Sequence, residues 1–142
     1  MDMESIVRVV ESHAEKLAMK WIERVRQEEE MHGYLHQPEG RLLQHVQRAY
    51  EEIGACLDDP ESPIIRDHFL DTGRTRREHG VPLVQVIRAV QLARTVLWDY
   101  VQELGIFDSS LNLYRGVNLY RNIVRVFDKA QFYAVKGYTE EG

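Results

Sequence analysis

The amino-acid sequence predicts an all-α fold: a bundle of about five long helices forming one domain over residues 1–142, with a globin-like topology as one form it can take. Three observations carry this. Apolar residues recur at three-and-four spacing through most of the chain, and glycine and proline stand at the breaks between those stretches. Nowhere do apolar and polar residues alternate as along a half-buried strand, and no internal repeat or low-complexity tract intervenes.

The first helix is predicted from Met3 to Glu30. Ile6, Val10, His13 or Ala14, Leu17, Trp21 and Val25 share one side, with Glu, Lys and Arg opposite. Glu28, Glu29 and Glu30 then fall at the negative end of the helix dipole. That costs about 0.3–1 kcal/mol each when exposed, so fraying is expected there. Met31 to Gly40 reads as a loop punctuated by Gly33, Pro38 and Gly40. Arg41 to Leu57 is the second helix, with a stripe of Leu42, Leu43, Val46, Ala49, Tyr50, Ile53 and Leu57, and Asp58-Asp59-Pro60 ends it.

Ser62 before Pro63 is a cap followed by a first-turn proline, opening a third helix from Pro63 to about His79. Its stripe begins with Ile65 and Phe69 and continues at the same spacing through Thr72, Arg76 and His79. An apolar face thus turns polar and basic where the helix nears its successor. Two readings stand side by side. Either the last turns leave the core and their basic residues suit the dipole, or Thr72, Arg76 and His79 line a ligand or anion pocket.

The element around which the chain is organised is the helix from Pro82 to Leu104, marked by Gly80 and Pro82 at its start and Gly105 at its end. Leu83, Ile87, Val90, Leu97, Val101 and Leu104 form its main stripe. Val86, Ala93 and Tyr100 widen that stripe, and Leu92, Val96 and Trp98 extend it around the helix, so partners on several sides are expected. Arg94 interrupts the stripe and must reach solvent, pair with a carboxylate from another element or contact a polar ligand. Asp108-Ser109-Ser110 supplies capping oxygens for a last helix from Leu111 to about Lys136. Gly116 inside it suggests a close helix crossing. Tyr138 to Gly142 reads as a tail or linker.

A chain of 142 residues buries roughly two-thirds of its unfolded surface in one core without a staple. The net charge of −5 argues against a general nucleic-acid binder. No run approaches about 18 uninterrupted apolar residues, so no membrane span is expected. Cys56 stands alone and the start has no basic-then-apolar signal pattern, which points to the cytosol.

Six histidines suggest a test for metal. Glu29 and His32 are the one Glu-x-x-His pair here, whereas a carboxylate-bridged di-metal bundle needs two such pairs and two further glutamates. A mononuclear site from His32, His36 and His45 is the remaining arrangement. There is no Gly-x-Ser-x-Gly, Walker loop, Gly-x-Gly-x-x-Gly or His-Glu-x-x-His, and Cys56 has no positive neighbour to lower its pKa. The expectation is a non-enzymatic binding or signalling module without cofactor or metal.

The run Arg76-Arg77-Glu78-His79-Gly80-Val81-Pro82-Leu83-Val84-Gln85-Val86-Ile87-Arg88-Ala89-Val90, continuing to Arg94 and Leu97, resembles the N-terminal domains of RsbT co-antagonist proteins of the RsbRD type. Ala18-Met19-Lys20-Trp21-Ile22-Glu23-Arg24-Val25 is similar to that family's opening helix. The resemblance covers nearly the whole chain. It implies a sensory or relay domain placed before an output module such as a STAS domain of a stressosome subunit or a histidine kinase. Because the last helix runs nearly to the end of the chain, the expectation is a homodimer that passes its signal along that helix by helix repacking. The resemblance assigns no ligand residues. A weaker likeness is to globin-type sensors, and aligning on Gly80 puts Arg76 where the haem-ligating histidine would stand. Arginine cannot serve as that ligand. The rival functions are a haem- or metal-binding sensor and a ligand-free protein-protein interaction module.

Overall fold

The computed structural model of the chain describes residues 2–105 and 110–140. Seven α-helices and one short 3₁₀ turn occupy them, and no strand is present among these residues. The helices are α1 (Met3–Ser12), α2 (Ala14–Arg26), α3 (His32–Leu35), α4 (Glu39–Ala55), α5 (Pro63–Glu78), α6 (Leu83–Glu103) and α7 (Ser110–Thr139). The all-α expectation therefore stands, with seven helices in place of five.

The two extra helices come from the first third of the chain. The long helix predicted from Met3 to Glu30 is broken at His13, whose φ of −108° and ψ of 17° leave the helical region. Leu17 N–H still bonds to the His13 carbonyl at 3.0 Å, and the Tyr100 hydroxyl of α6 meets His13 Nδ1 at the break. The stripe itself holds, since Ile6, Val10, Ala14, Leu17, Trp21 and Val25 are all buried. The predicted loop from Met31 to Gly40 contains α3, because Met31 and Tyr34 are core residues at 0% and 3% exposure. Gly33 makes that docking feasible. Its N–H donates to Gln85 Oε1 at 2.9 Å, and a Cβ there would lie 2.5 Å from the same oxygen.

Glu28 is not a frayed helix end. It lies beyond α2 and accepts a fork of hydrogen bonds from Arg88 of α6, at 2.8 Å from Nε and 2.5 Å from Nη2. The Arg88 guanidinium holds the Glu28 carboxyl below its ordinary pKa.

Both glycine stops around α6 adopt the left-handed conformation that favours glycine, with φ of 75° at Gly80 and 74° at Gly105. Two neighbouring helices hang side chains on successive turns of its backbone. Trp21 Nε1 donates to the Ala89 carbonyl at 3.0 Å, and the Tyr50 hydroxyl to the Ala93 carbonyl at 2.9 Å. The deeply buried face of α6 centres on Val86, Ala89, Val90, Leu97, Tyr100 and Val101, whereas Leu83 and Ile87 of the predicted stripe are only half-buried.

α7 packs chiefly against α5 and secondarily against α6. Gly116 is buried within α7. Further along, α5 and α7 approach backbone to backbone at Gly73 and Gly137. A Cβ on Gly73 would sit 2.1 Å from the Ala134 carbonyl oxygen, and one on Gly137 2.1 Å from that of Leu70. The helix continues to Thr139, past the predicted end, because Tyr138 is tied to the core by its hydroxyl, which donates to the Val81 carbonyl at 2.8 Å. Asp108 and Ser109 of the predicted cap lie outside the described residues, and Ser110 is the first residue of α7. None of the described helices is long and apolar enough to cross a membrane.

Candidate functional site

The third helix of the sequence reading, now α5, does not leave the core where its stripe turns polar. Thr72 is 7% exposed and Arg76 5%. Both face a cavity of about 50 Å³ whose wall draws side chains from α2 through α7, including Trp21, Tyr34, His45, Tyr50 and Phe127. The lining is mostly carbon, and His45, Thr72 and Arg76 form one polar edge of it.

That edge is built across α4 and α5. Thr72 Oγ1 donates to the His68 carbonyl at 3.0 Å, one turn back on its own helix, so its lone pairs face His45. His45 Nε2 lies 3.1 Å away and therefore carries the proton. Burial, followed by the positive charge of Arg76, pushes the His45 pKa down to about 3. The ring is neutral near pH 7.

Arg76 is the anomaly. No carboxylate among the described residues pairs with its guanidinium, and its Nε has no hydrogen-bond partner. The guanidinium carbon lies 5.3 Å from the centre of the Tyr34 ring. A cation–π contact of this kind offsets only part of the cost of burying a charge. Tyr34 cannot supply a counter-charge, because burial raises its hydroxyl pKa to about 12. Replacing Arg76 with Met, which keeps most of the volume, is expected to raise stability in anion-free buffer by about 1–3 kcal/mol. Urea denaturation checks this, and a loss of stability would mean that the charge has a partner within the protein.

On the outer side, Arg76 and His45 also border a surface cleft lined by Gln37, Arg41, Thr75 and His79. The two residues thus form a partition between a basic cleft and an apolar cavity. A second polar cluster lies beside it, where His68 Nδ1 is 2.6 Å from Glu52 Oε2. The contact is poorly aligned, and both Glu52 Oε2 and His68 Nε2 lack a hydrogen bond.

Of the predicted site residues, the structure brings Thr72 and Arg76 together on the cavity wall and places His79, exposed, at the outer cleft. Arg94 is exposed on α6 and does not line the cavity. His32 and His36 are exposed around α3, while His45 points to Thr72, so the three do not converge. No group of three metal-ligating side chains is present among the described residues. The cavity does not fit haem either, being far smaller than the roughly 300–1,000 Å³ of sites for drug-sized ligands. Sequence reasoning missed Tyr34 and the partitioning role of His45, since both depend on which helices meet.

The helical fold thus carries a small, mostly apolar cavity with a buried basic group on its wall. The family model of the RsbT co-antagonist protein RsbRD N-terminal domain matches residues 15–142, and the chain belongs to that family. The family places it among stress-response signalling domains of the stressosome context. No curated protein and no solved structure matches the chain.

Proposed function

We propose that the domain is a non-enzymatic cytoplasmic sensor that acts as a homodimer and relays a signal by repacking α5 against α7 toward an output module such as a STAS domain or a kinase. The observation that carries this reading is the family match over residues 15–142. The geometry adds a route. Gly73, the backbone contact point with α7, lies between Thr72 and Arg76 on the same helix. Arg77 donates from Nη1 to the carbonyls of Tyr138 and Glu140, both at 3.0 Å, so α5 also grips the end of α7. A globin-like arrangement belongs to the same reading, supported by a cavity lined from α2 through α7 at the place where the likeness puts Arg76.

The homodimer is supported by a row on α7, where Leu113, Val117 and Tyr120 follow at helical spacing with 50%, 50% and 47% exposure. Replacing Leu113 and Val117 together with Glu is expected to convert a dimeric native mass to a monomeric one with helicity retained. A dimer that survives this pair of charges removes α7 as the interface.

A further inference from the structure

We propose that the Arg76 cavity binds a short-chain monocarboxylate of about the size of acetate or propionate, its carboxylate paired with Arg76 at the partition and its apolar end inside the cavity. The proposal deepens the sensor reading by naming the ligand class of the same site. The first ground is charge. Arg76 is a buried cation on the wall shared by the cavity and the outer cleft, with an unpartnered Nε, and no carboxylate among the described residues pairs with it. An incoming monoanion supplies the missing counter-charge through the planar fork to which guanidinium is matched.

The second ground is the character of the walls. Tyr50, Phe69 and their neighbours present carbon to the cavity. Chloride or phosphate would give up hydration there and gain no apolar contact, whereas a methyl or ethyl group fills such a surface. The third is size. At about 50 Å³ the cavity exceeds the roughly 10–15 Å³ that one water requires and is a third of the ~150 Å³ that admits benzene. A few carbon atoms fit, and a long fatty chain does not. The fourth is access, because the cleft outside Arg76 carries the exposed Arg41, which favours entry of an anion.

Trp21 lines the cavity and is one of only two tryptophans, so Trp98→Phe leaves it as the sole indole reporter. The test titrates this 142-residue chain with sodium propionate, sodium octanoate and sodium chloride at constant ionic strength, following Trp21 emission. The expected result is saturable binding of propionate, at least about tenfold tighter than chloride and octanoate. Arg76→Met should weaken it by at least about tenfold and Arg76→Lys by less, while Arg121→Met, at an exposed position of α7, leaves it within about twofold. Absence of saturable propionate binding, equal binding of chloride, tighter binding of octanoate, or full affinity in folded Arg76→Met or Arg76→Lys protein would each overturn the proposal. The relay reading is judged separately, by the state of α7, and does not fall with any of these.

Discussion

Adding one methyl group to Gly137 is expected to destabilise the fold by about 3 kcal/mol, even though alanine is the better helix former by about 1 kcal/mol. The reason is geometric. The new Cβ would lie 2.1 Å from the Leu70 carbonyl oxygen, which is backbone and cannot swing aside, so α5 and α7 must separate along their whole contact. Gly73→Ala is expected to act similarly, since its Cβ would meet the Ala134 carbonyl oxygen at 2.1 Å and the Tyr138 nitrogen at 2.7 Å. The double variant should cost clearly less than the sum, because helices already parted by one methyl accommodate the second. Urea denaturation of the three variants checks this. Neutral or stabilising single substitutions would show that the crossing is not tight.

The second large effect is on pH dependence. His45 has a folded pKa of about 3 against an ordinary 6.5, so the unfolded chain binds more protons than the folded one between those values. This contribution to stability is fully present above pH 6.5 and is lost progressively as the pH falls towards 3. From His45 alone, lowering the pH from 7 to 5 is expected to cost about 2 kcal/mol. His68 adds to the loss, its pKa being lowered by burial against the opposing pull of Glu52. His45→Asn should flatten the slope of stability against pH in this window. Parallel slopes for the variant and the wild type would contradict the assignment.

The amphipathic helices were legible from sequence because the information is local. The α2 stripe of Ala14, Leu17, Trp21 and Val25 and the α4 stripe of Leu42, Val46, Tyr50 and Ile53 recur at the helical period and are buried as expected. The break at His13 was not legible, since it involves no glycine or proline and is met by Tyr100 from 87 residues away. Likewise α3 was hidden because Gly33 reads as punctuation, whereas its N–H is taken up by Gln85, which is distant in sequence.

The candidate site was half legible. A threonine and an arginine continuing an apolar stripe marked Thr72 and Arg76, and burial of such residues against local pattern is what a functional site produces. Arg94 was singled out by the same logic on α6, but the buried face of that helix is rotated from the predicted stripe toward Val86 and Ala89. The crossing glycines left a weaker trace. Ala130, Ala134 and Gly137 form a row of small residues on α7, yet nothing in the sequence says that Gly73 lies opposite.

Arg76 links these threads, being a buried charge whose removal is expected to raise stability and, under the proposal above, to remove the cavity's affinity for an anion. The most direct test of the coupling is amide hydrogen exchange of α7 in the wild-type chain, with sodium propionate and with sodium chloride at equal ionic strength. Coupling across the Gly73–Gly137 crossing predicts that propionate changes the exchange of residues 134–139 as well as that of the cavity wall. A change confined to the wall around Thr72 and Arg76, with α7 unaltered, would contradict it.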